Sequence, residues 1–353
     1  MAVETRFSGW QKDALSMAAE CLTKDWMHGS LDLRHRLVIV PTRNAGRRLR
    51  ERLAEIASSK GSAVIPGRIA TPDYLITDHY ERFPSQASPS EILALWIKLL
   101  KDIDLQNYPA LFPSDTAGFT QDNSWLLSTA EQFVRLRREL GEGGFSFNDM
   151  AGEMSESPEP ERWQELARLE KIYLRHLEEL GLQDPEDVKN LIAEKPTVYE
   201  QVKSIDVIAV PDPLPLAVTA LEKISETHNV TVYVQAPAEL REGFDCWGRP
   251  LVDFWSKRKI NIPDEQKNVM LSAGPREQAA KVADILVQNR QQADSAAIGV
   301  PDEEVTPHLS HELEQHGINT FNPAGETLES HPIMQLIDRL TDVIISGDFE
   351  SFS

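Results

Sequence analysis

The sequence predicts an α/β protein: a parallel sheet interrupted by a helical insertion, followed by the start of a second α/β pattern. Three observations predict it. Between Met1 and about Tyr80, and again between about Val202 and Gln235, short apolar runs alternate with longer helical patterns, as in a parallel sheet with crossover helices. From about Pro89 to Glu194 the strand signal disappears and apolar residues recur at three- and four-residue spacing. Past the irregular connector "FDCWGRPLVDFWSKRKINIPDEQK" the alternation of short run and helix resumes.

Each element follows from its own residues. "SGW" followed by Lys12 reads as a strand-turn-helix opening. The runs "RLVIV", "SIDVIAV" and "NVTVYV" read as strands, and the β-branched residues Val38, Ile39 and Val40 and Val207, Ile208 and Val210 suit strands buried on both faces. "RLVIV" breaks at Pro41 and gives way at once to a basic amphipathic helix, with Leu49, Leu53 and Ile56 on its core face. In the insertion, "PSEILALWIKLLKDI", "SWLLSTAEQFVRLRRELG" and "PERWQELARLEKIYLRHLEELG" read as helices, the last two stopping at Gly141 and Gly181. The polar stretches "GEGGFS" and "GEMSESPEPE" read as solvated connectors. Near the end, "NVMLSAG" and "AAIGV" are expected strands. The helices "PREQAAKVADILVQNR" and "DEEVTPHLSHELEQHG" follow them, and "HPIMQLIDRLTDVIIS" is one more helix. The chain therefore divides at residues 1–85, 86–195, 196–265 and 266–353, and its abrupt finish in "GDFESFS" leads us to expect a piece of a longer protein.

Composition narrows the function classes. With 353 residues and 41% apolar content the chain can bury a large core in two or three compact units. A formal net charge of -20 argues against a protein coated in basic residues, but leaves room for a local basic strip on an acidic body. Cys21 and Cys246 are too few for a disulfide framework or a four-ligand metal site, so a reducing cytoplasm is expected. No apolar run approaches the ~18 residues of a membrane span.

The candidate binding residues sit where "RLVIVP" meets its helix. Free N–H groups at a helix start, the Thr42 hydroxyl and the Arg43 guanidinium all favour a phosphate, with Asn44 and Arg47 beside them. The competing reading, which the residues alone favour, is a solvated basic helix face that accounts for all of Thr42, Arg43, Asn44, Arg47, Arg48, Arg50 and Arg52, the last two pairing with Glu51 and Glu55. Only resemblance to a known family reverses this, for Thr42 to Asn44. His308 and His311 share a helical face, but Gln315 stands where a His-Glu-x-x-His zinc motif needs its second histidine, so exposed polar residues are expected. Trp247 and Trp255 with Lys257, Arg258 and Lys259 either grip a single strand or pack the connector on the core.

The order of these pieces resembles superfamily 1 helicases. "LVIVPTRNAGRRLRERL" is similar to the second conserved segment of that superfamily, where a core strand ends in a Thr-containing turn that touches single-stranded DNA. "GRIATPDYLI", with Thr71 at a strand end, resembles the next DNA-lining segment. "LEKIYLRHLEELGLQDPEDVKNLIAE" is similar to the end of the inserted helical subdomain, and "SIDVIAVPDPLPLAVTALEKI" takes the place of the acidic Walker B strand. "AAIGVPDEEVTPHLSHELEQHGINTFNPAGETLESHPIMQLIDRL" looks like the opening of a second RecA-like domain. Within the superfamily the chain is most similar to the helicase-like N-terminal half of AddB-type proteins, bacterial double-strand-break repair subunits that end in a PD-(D/E)XK nuclease domain. The resemblance implies a RecA-like P-loop-derived domain with an inserted helical subdomain, then the start of a second such domain. It also implies contact with single-stranded DNA through Thr42, Arg43, Asn44, Arg47 and Thr71, a helicase-nuclease partner subunit, and magnesium in a nuclease domain that this chain lacks.

Departures from the family pattern imply that ATP hydrolysis is lost. An active member binds ATP through Gly-x-x-x-x-Gly-Lys-[Ser/Thr]. Here only Gly9 and Lys12 answer to it, and Asp13 follows Lys12 in place of a hydroxyl residue. The Walker B strand runs into Pro211, Asp212 and Pro213, and Asp212 alone cannot both hold magnesium and polarise water. Pro301, Asp302, Glu303 and Glu304 stand where an Arg normally reaches the phosphates. No cofactor is expected in this chain. Two other functions fit the same residues: a divergent working DNA-dependent ATPase, and an interaction scaffold that touches no DNA.

Overall fold

The computed structural model describes residues 3–78, 83–113, 122–259, 264, 268–288, 296–302, 304–323, 325, 328 and 331–346. The chain forms two compact units, residues 1–258 and 259–353.

The first unit is built on a five-stranded, all-parallel sheet. In chain order its strands are β1 (Val3–Phe7), β3 (Arg36–Ile39), β5 (Arg68–Ala70), β6 (Ser204–Ile208) and β7 (Asn229–Val234), and across the sheet they lie in the order β1-β7-β6-β3-β5. β2 (Leu31–Asp32) and β4 (Val64–Ile65) form a separate parallel pair. The three apolar runs of the sequence are the three central strands. Val38 lies between Ile69 and Asp206, and Ile39 between Ala70 and Val207. Such strands carry apolar residues on successive positions because both faces are covered. β1 shows no such run: Glu4 and Arg6 alternate with Val3, Thr5 and Phe7, as an edge strand allows.

Chain direction decides which helix covers which face. From β1 through β3 to β5 the chain steps one way across the sheet, and from β5 through β6 to β7 it steps back. Right-handed crossovers then place the helices of the two stretches on opposite faces. α1 (Ala14–Thr23) and α2 (Arg43–Ser59) cover one face, packing Met17, Leu22, Leu49 and Leu53 on Val38, Val40, Ile208 and Tyr233. The opposite face receives α3 (Tyr74–Thr77), α8 (Pro185–Glu194) and α9 (Pro215–Ser225), where Leu75, Ala193, Ala217 and Leu221 meet Ile39, Ile205, Val207 and Val232.

Between β5 and β6 the described chain is helical, with a core of its own. α4 (Pro89–Asp102), α5 (Asn123–Glu142) and α7 (Pro160–Glu179) enclose Trp96, which stacks on Tyr173 at 4.6 Å between ring centroids. Of "GEGGFS" only Gly141 and Glu142 are helical, as the end of α5. The chain then enters a helix that was not expected between the two connectors, α6 (Phe147–Glu153), which takes the first two residues of "GEMSESPEPE". Ser146 and Asp149 close a capping box at its start, and Phe147 is fully buried, so one apolar anchor and a cap outweigh the glycines before it. Gly141 does not end α5: the helix runs to Glu142, and Gly144, at φ +84°, takes the left-handed position. Gly141 instead makes room for α8, since a Cβ there would lie 2.5 Å from Glu186 Oε2. Gly181, at φ +68°, does follow the end of α7.

One buried arginine ties these helices together. Arg137 of α5 donates to Asp184 Oδ2 at 3.2 Å, to Asp187 Oδ1 at 2.9 Å and to Glu170 of α7. Tyr173 Oη donates to the same Asp184 oxygen at 2.7 Å, while Asp184 Oδ1 caps α8 by accepting from Glu186 N at 2.8 Å. Glu170 also accepts from the first amides of α6, Phe147 N and Asn148 N, each at 3.0 Å. Burial raises the Glu170 carboxyl above its ordinary value, against the opposing pull of Arg137 and those two amides.

After the short α10 (Val252–Trp255), the second unit contains α11 (Pro275–Gln288), α12 (Val305–Gln315) and α13 (Pro332–Ser346). Ala279 and Ala283 pack on Leu309 and Leu313. The strands expected at "NVMLSAG" and "AAIGV" do not form: among the described residues of this unit no strand is present. A parallel strand needs a neighbour to take up its amide and carbonyl groups, and neither run has one here. Glu303 and parts of the "AGETLES" stretch lie outside the described residues.

Candidate nucleic-acid interface

In an open parallel sheet, ligands bind outside the carboxyl ends of the strands, where two neighbours send their connections in opposite directions. β3 and β6 are such a pair. The chain leaves β3 towards β5 and leaves β6 towards β7. The turns at that crevice carry Thr42, Arg43 and Asn44 after β3 and Ala209 to Asp212 after β6. Ala209 has φ +48°, a left-handed conformation that costs a residue with a Cβ about 1 to 3 kcal/mol and concentrates at functional sites.

The β3 turn is organised by its cap. Thr42 is extended, and its Oγ1 accepts from Ala45 N at 3.0 Å, which starts α2 and leaves the hydroxyl proton available to a ligand. Arg43 is the first residue of α2, and the first turn holds no acidic residue. A cation there opposes the helix dipole, a conflict that an anion at the turn would relieve. Arg43 is exposed, and among the described residues no carboxylate pairs with it. Arg47 is engaged: it donates to Asn44 Oδ1 at 3.1 Å and to Glu51 at 3.3 Å, and Arg48 shares that carboxylate. Such exposed pairs contribute about 0 to 1 kcal/mol, so a phosphate could displace them. Arg52 pairs with Glu55 as expected. Arg50 does not follow that pattern, because its Nη2 donates to Ile69 O at 2.8 Å and braces α2 on β5.

Thr71 stands one strand further along the same edge. Val40 N bonds Ala70 O at 2.9 Å, joining the ends of β3 and β5, and Tyr74 N bonds Thr71 O at 3.0 Å to open α3. Thr42, Arg43, Asn44 and Thr71 are thus brought to one stretch of the sheet edge. Asp212 flanks it on the β6 side, exposed between its two prolines. Gly9 and Lys12 lie beyond β7, after β1.

Of the groups around Lys12, the backbone amides and the Asp13 carboxylate are already committed, while Lys12 itself makes an exposed pair. Lys12 Nζ reaches Glu20 Oε2 at 2.5 Å. Asp13 caps α1, accepting from Ser16 N at 2.8 Å, and these amide bonds hold its carboxyl below the ordinary range. Ser8 N and Gly9 N bond Val234 O and Ala236 O at 3.1 and 3.0 Å, and Gln235 Nε2 fixes the carbonyl of Lys12 at 3.0 Å. The helix start presents a carboxylate where a polyphosphate would need amides and a free lysine.

Other residues fall elsewhere. Trp247 is buried, and Trp255 donates to Gly243 O at 2.8 Å and packs on Phe244 and Phe254, so the connector aromatics fold onto the first unit. His311 contacts Gln315 one turn along the exposed face of α12. Among the described residues no cluster of three potential metal ligands occurs, and no helix is long and apolar enough to cross a membrane. The sequence reading missed Asp206. Buried inside β6, it accepts from Arg36 at 3.0 Å and from Tyr233 Oη at 3.4 Å. An acidic residue within an apolar run demands a partner, and Arg36 at the head of the neighbouring run was the visible signal.

Comparison with protein-family models and with curated proteins finds no match to this chain.

Proposed function

We propose that this chain is an ATPase-inactive, helicase-like region of an AddB-type repair protein, with RecA-like domains and an inserted helical subdomain, and that it holds single-stranded DNA along the carboxyl edge of its first sheet. The observation that supports this most is the switch point between β3 and β6, where Thr42, the uncompensated Arg43 and Asn44 meet at a helix start. Phosphate is the anion this set would accept, through a hydroxyl, a guanidinium and helix amides. Loss of ATP hydrolysis is supported by Asp13 on the α1 cap, a carboxylate where an active member presents amides and a hydroxyl. On this reading the strand is guided towards a magnesium-dependent PD-(D/E)XK nuclease domain elsewhere in the protein. A helicase-nuclease subunit is its partner, in a bacterial cytoplasm.

The test is fluorescence anisotropy of a labelled single-stranded oligonucleotide at two salt concentrations, with and without ATP-magnesium. Wild-type binding should weaken with salt, fall several-fold in Arg43→Ala and ignore ATP. No binding at low salt would favour a pure interaction scaffold, and an ATP-dependent change would restore a working ATPase.

A further inference from the structure

Trp10 is the one exposed tryptophan of seven. It is 65% accessible, whereas the other six are buried or half-buried. Nothing about its loop is loose. Ser8 N is bonded to Val234 at the end of β7 and Gly9 N to Ala236 just past it, Gln235 holds the Lys12 carbonyl, Asp13 caps α1, and Gly9 at φ +74° turns the chain immediately before Trp10. A large indole is therefore displayed from a backbone pinned on both sides, which keeps the ordering cost of a contact low. It stands at the carboxyl end of β1, on the same sheet edge as Arg43. Three strand spacings separate β1 from β3, or about 14 Å.

Resting on the strand-binding reading above, we propose that Trp10 is a base-stacking platform. One base of a bound single strand lies on its ring while a phosphate of that strand lies at Arg43. Stacking on an aromatic face is independent of sequence, because every base has a π-face. A free nucleotide is the poorer occupant. Its phosphates would meet the Asp13 carboxylate on the α1 cap, whereas a strand can bring its base to Trp10 and its phosphates to Arg43.

Anisotropy with the full chain separates the outcomes. The probes, each carrying a fluorescent label, are an oligonucleotide, the same backbone with abasic sites, and adenosine monophosphate. The proteins are wild type, Trp10→Phe, Trp10→Ala and Arg43→Ala, with circular dichroism melts to show that each folds. Trp10→Ala should weaken binding of the normal strand about tenfold, with Trp10→Phe keeping most of the affinity. Neither should change binding of the abasic strand, and Arg43→Ala should weaken both. If Trp10→Ala binds the normal strand as wild type does while Arg43→Ala does not, the stacking role is overturned and strand binding stands. If wild type binds neither strand, strand binding itself fails. Trp10-dependent binding of adenosine monophosphate in that case would assign the ring to a free nucleotide and overturn the strand as occupant.

Discussion

At the scale of single residues, Arg137 is a buried cation held by three carboxylates. Its guanidinium is 4% exposed beside the buried Glu170 and Asp184 and the half-exposed Asp187, and three donors of one planar fork serve the three carboxylates on α7, the α8 cap and α8. Removing the cation leaves Glu170 and Asp184 desolvated and uncompensated, at a cost of about 3 to 5 kcal/mol. Arg137→Met should lower the unfolding free energy by that amount in a denaturant titration. Arg137→Lys should not restore it, since an ammonium cannot reproduce the fork. Asp206 gives a pH signature. Burial raises its carboxyl, despite Arg36 and the Tyr233 hydroxyl. From the ordinary carboxylate value up to that raised value the folded chain holds a proton that the unfolded chain has released, so stability falls as pH rises through this window. Glu170, Glu186 and Asp187 are raised in the same direction. Asp206→Asn should therefore flatten, but not abolish, the decline in denaturation midpoint as pH rises above the ordinary carboxylate value.

At the scale of elements, legibility tracked how local the determinants are. The three central strands and α2 could be read because a doubly buried strand and an amphipathic helix each write their own pattern. α6 could not, since its seven residues are fixed by Phe147 reaching a distant core and by Glu170 bonding its first amides. The runs "NVMLSAG" and "AAIGV" failed for the opposite reason: strand propensity is no substitute for a neighbouring strand. The capped turn at Thr42 was legible in residue type, whereas the role of Arg50 was not, its partner being a carbonyl on another element. The capping of α6 can be tested by itself. Ser146→Ala removes the acceptor for Asp149 N, at 3.0 Å, but leaves Phe147 N and Asn148 N on Glu170. The loss should be at the modest end for a cap, about 0.5 to 1 kcal/mol, with faster hydrogen exchange at the Asp149 amide and unchanged exchange at Phe147.

At the scale of the whole molecule, the proposed function asks an acidic body to hold a polyanion. On that proposal the formal charge of -20 repels DNA at long range, while attraction comes from the few basic groups that meet the strand at one sheet edge. These contributions respond to salt in opposite ways. Each neutralised phosphate on a single strand releases counterions and gives a slope of about -0.7 in log affinity against log salt. Screening of the body's repulsion, with a Debye length of about 10 Å at 0.1 M, works against that slope. The observed dependence should therefore be shallow, corresponding to one or two phosphates, and steeper at moderate than at very low salt, where repulsion is least screened. Arg43→Ala should reduce the slope by about 0.7 at every salt concentration, because it removes one contact without altering the distant charge. A substitution that lowers affinity but leaves the slope intact would mean that Arg43 supports the turn and touches no phosphate.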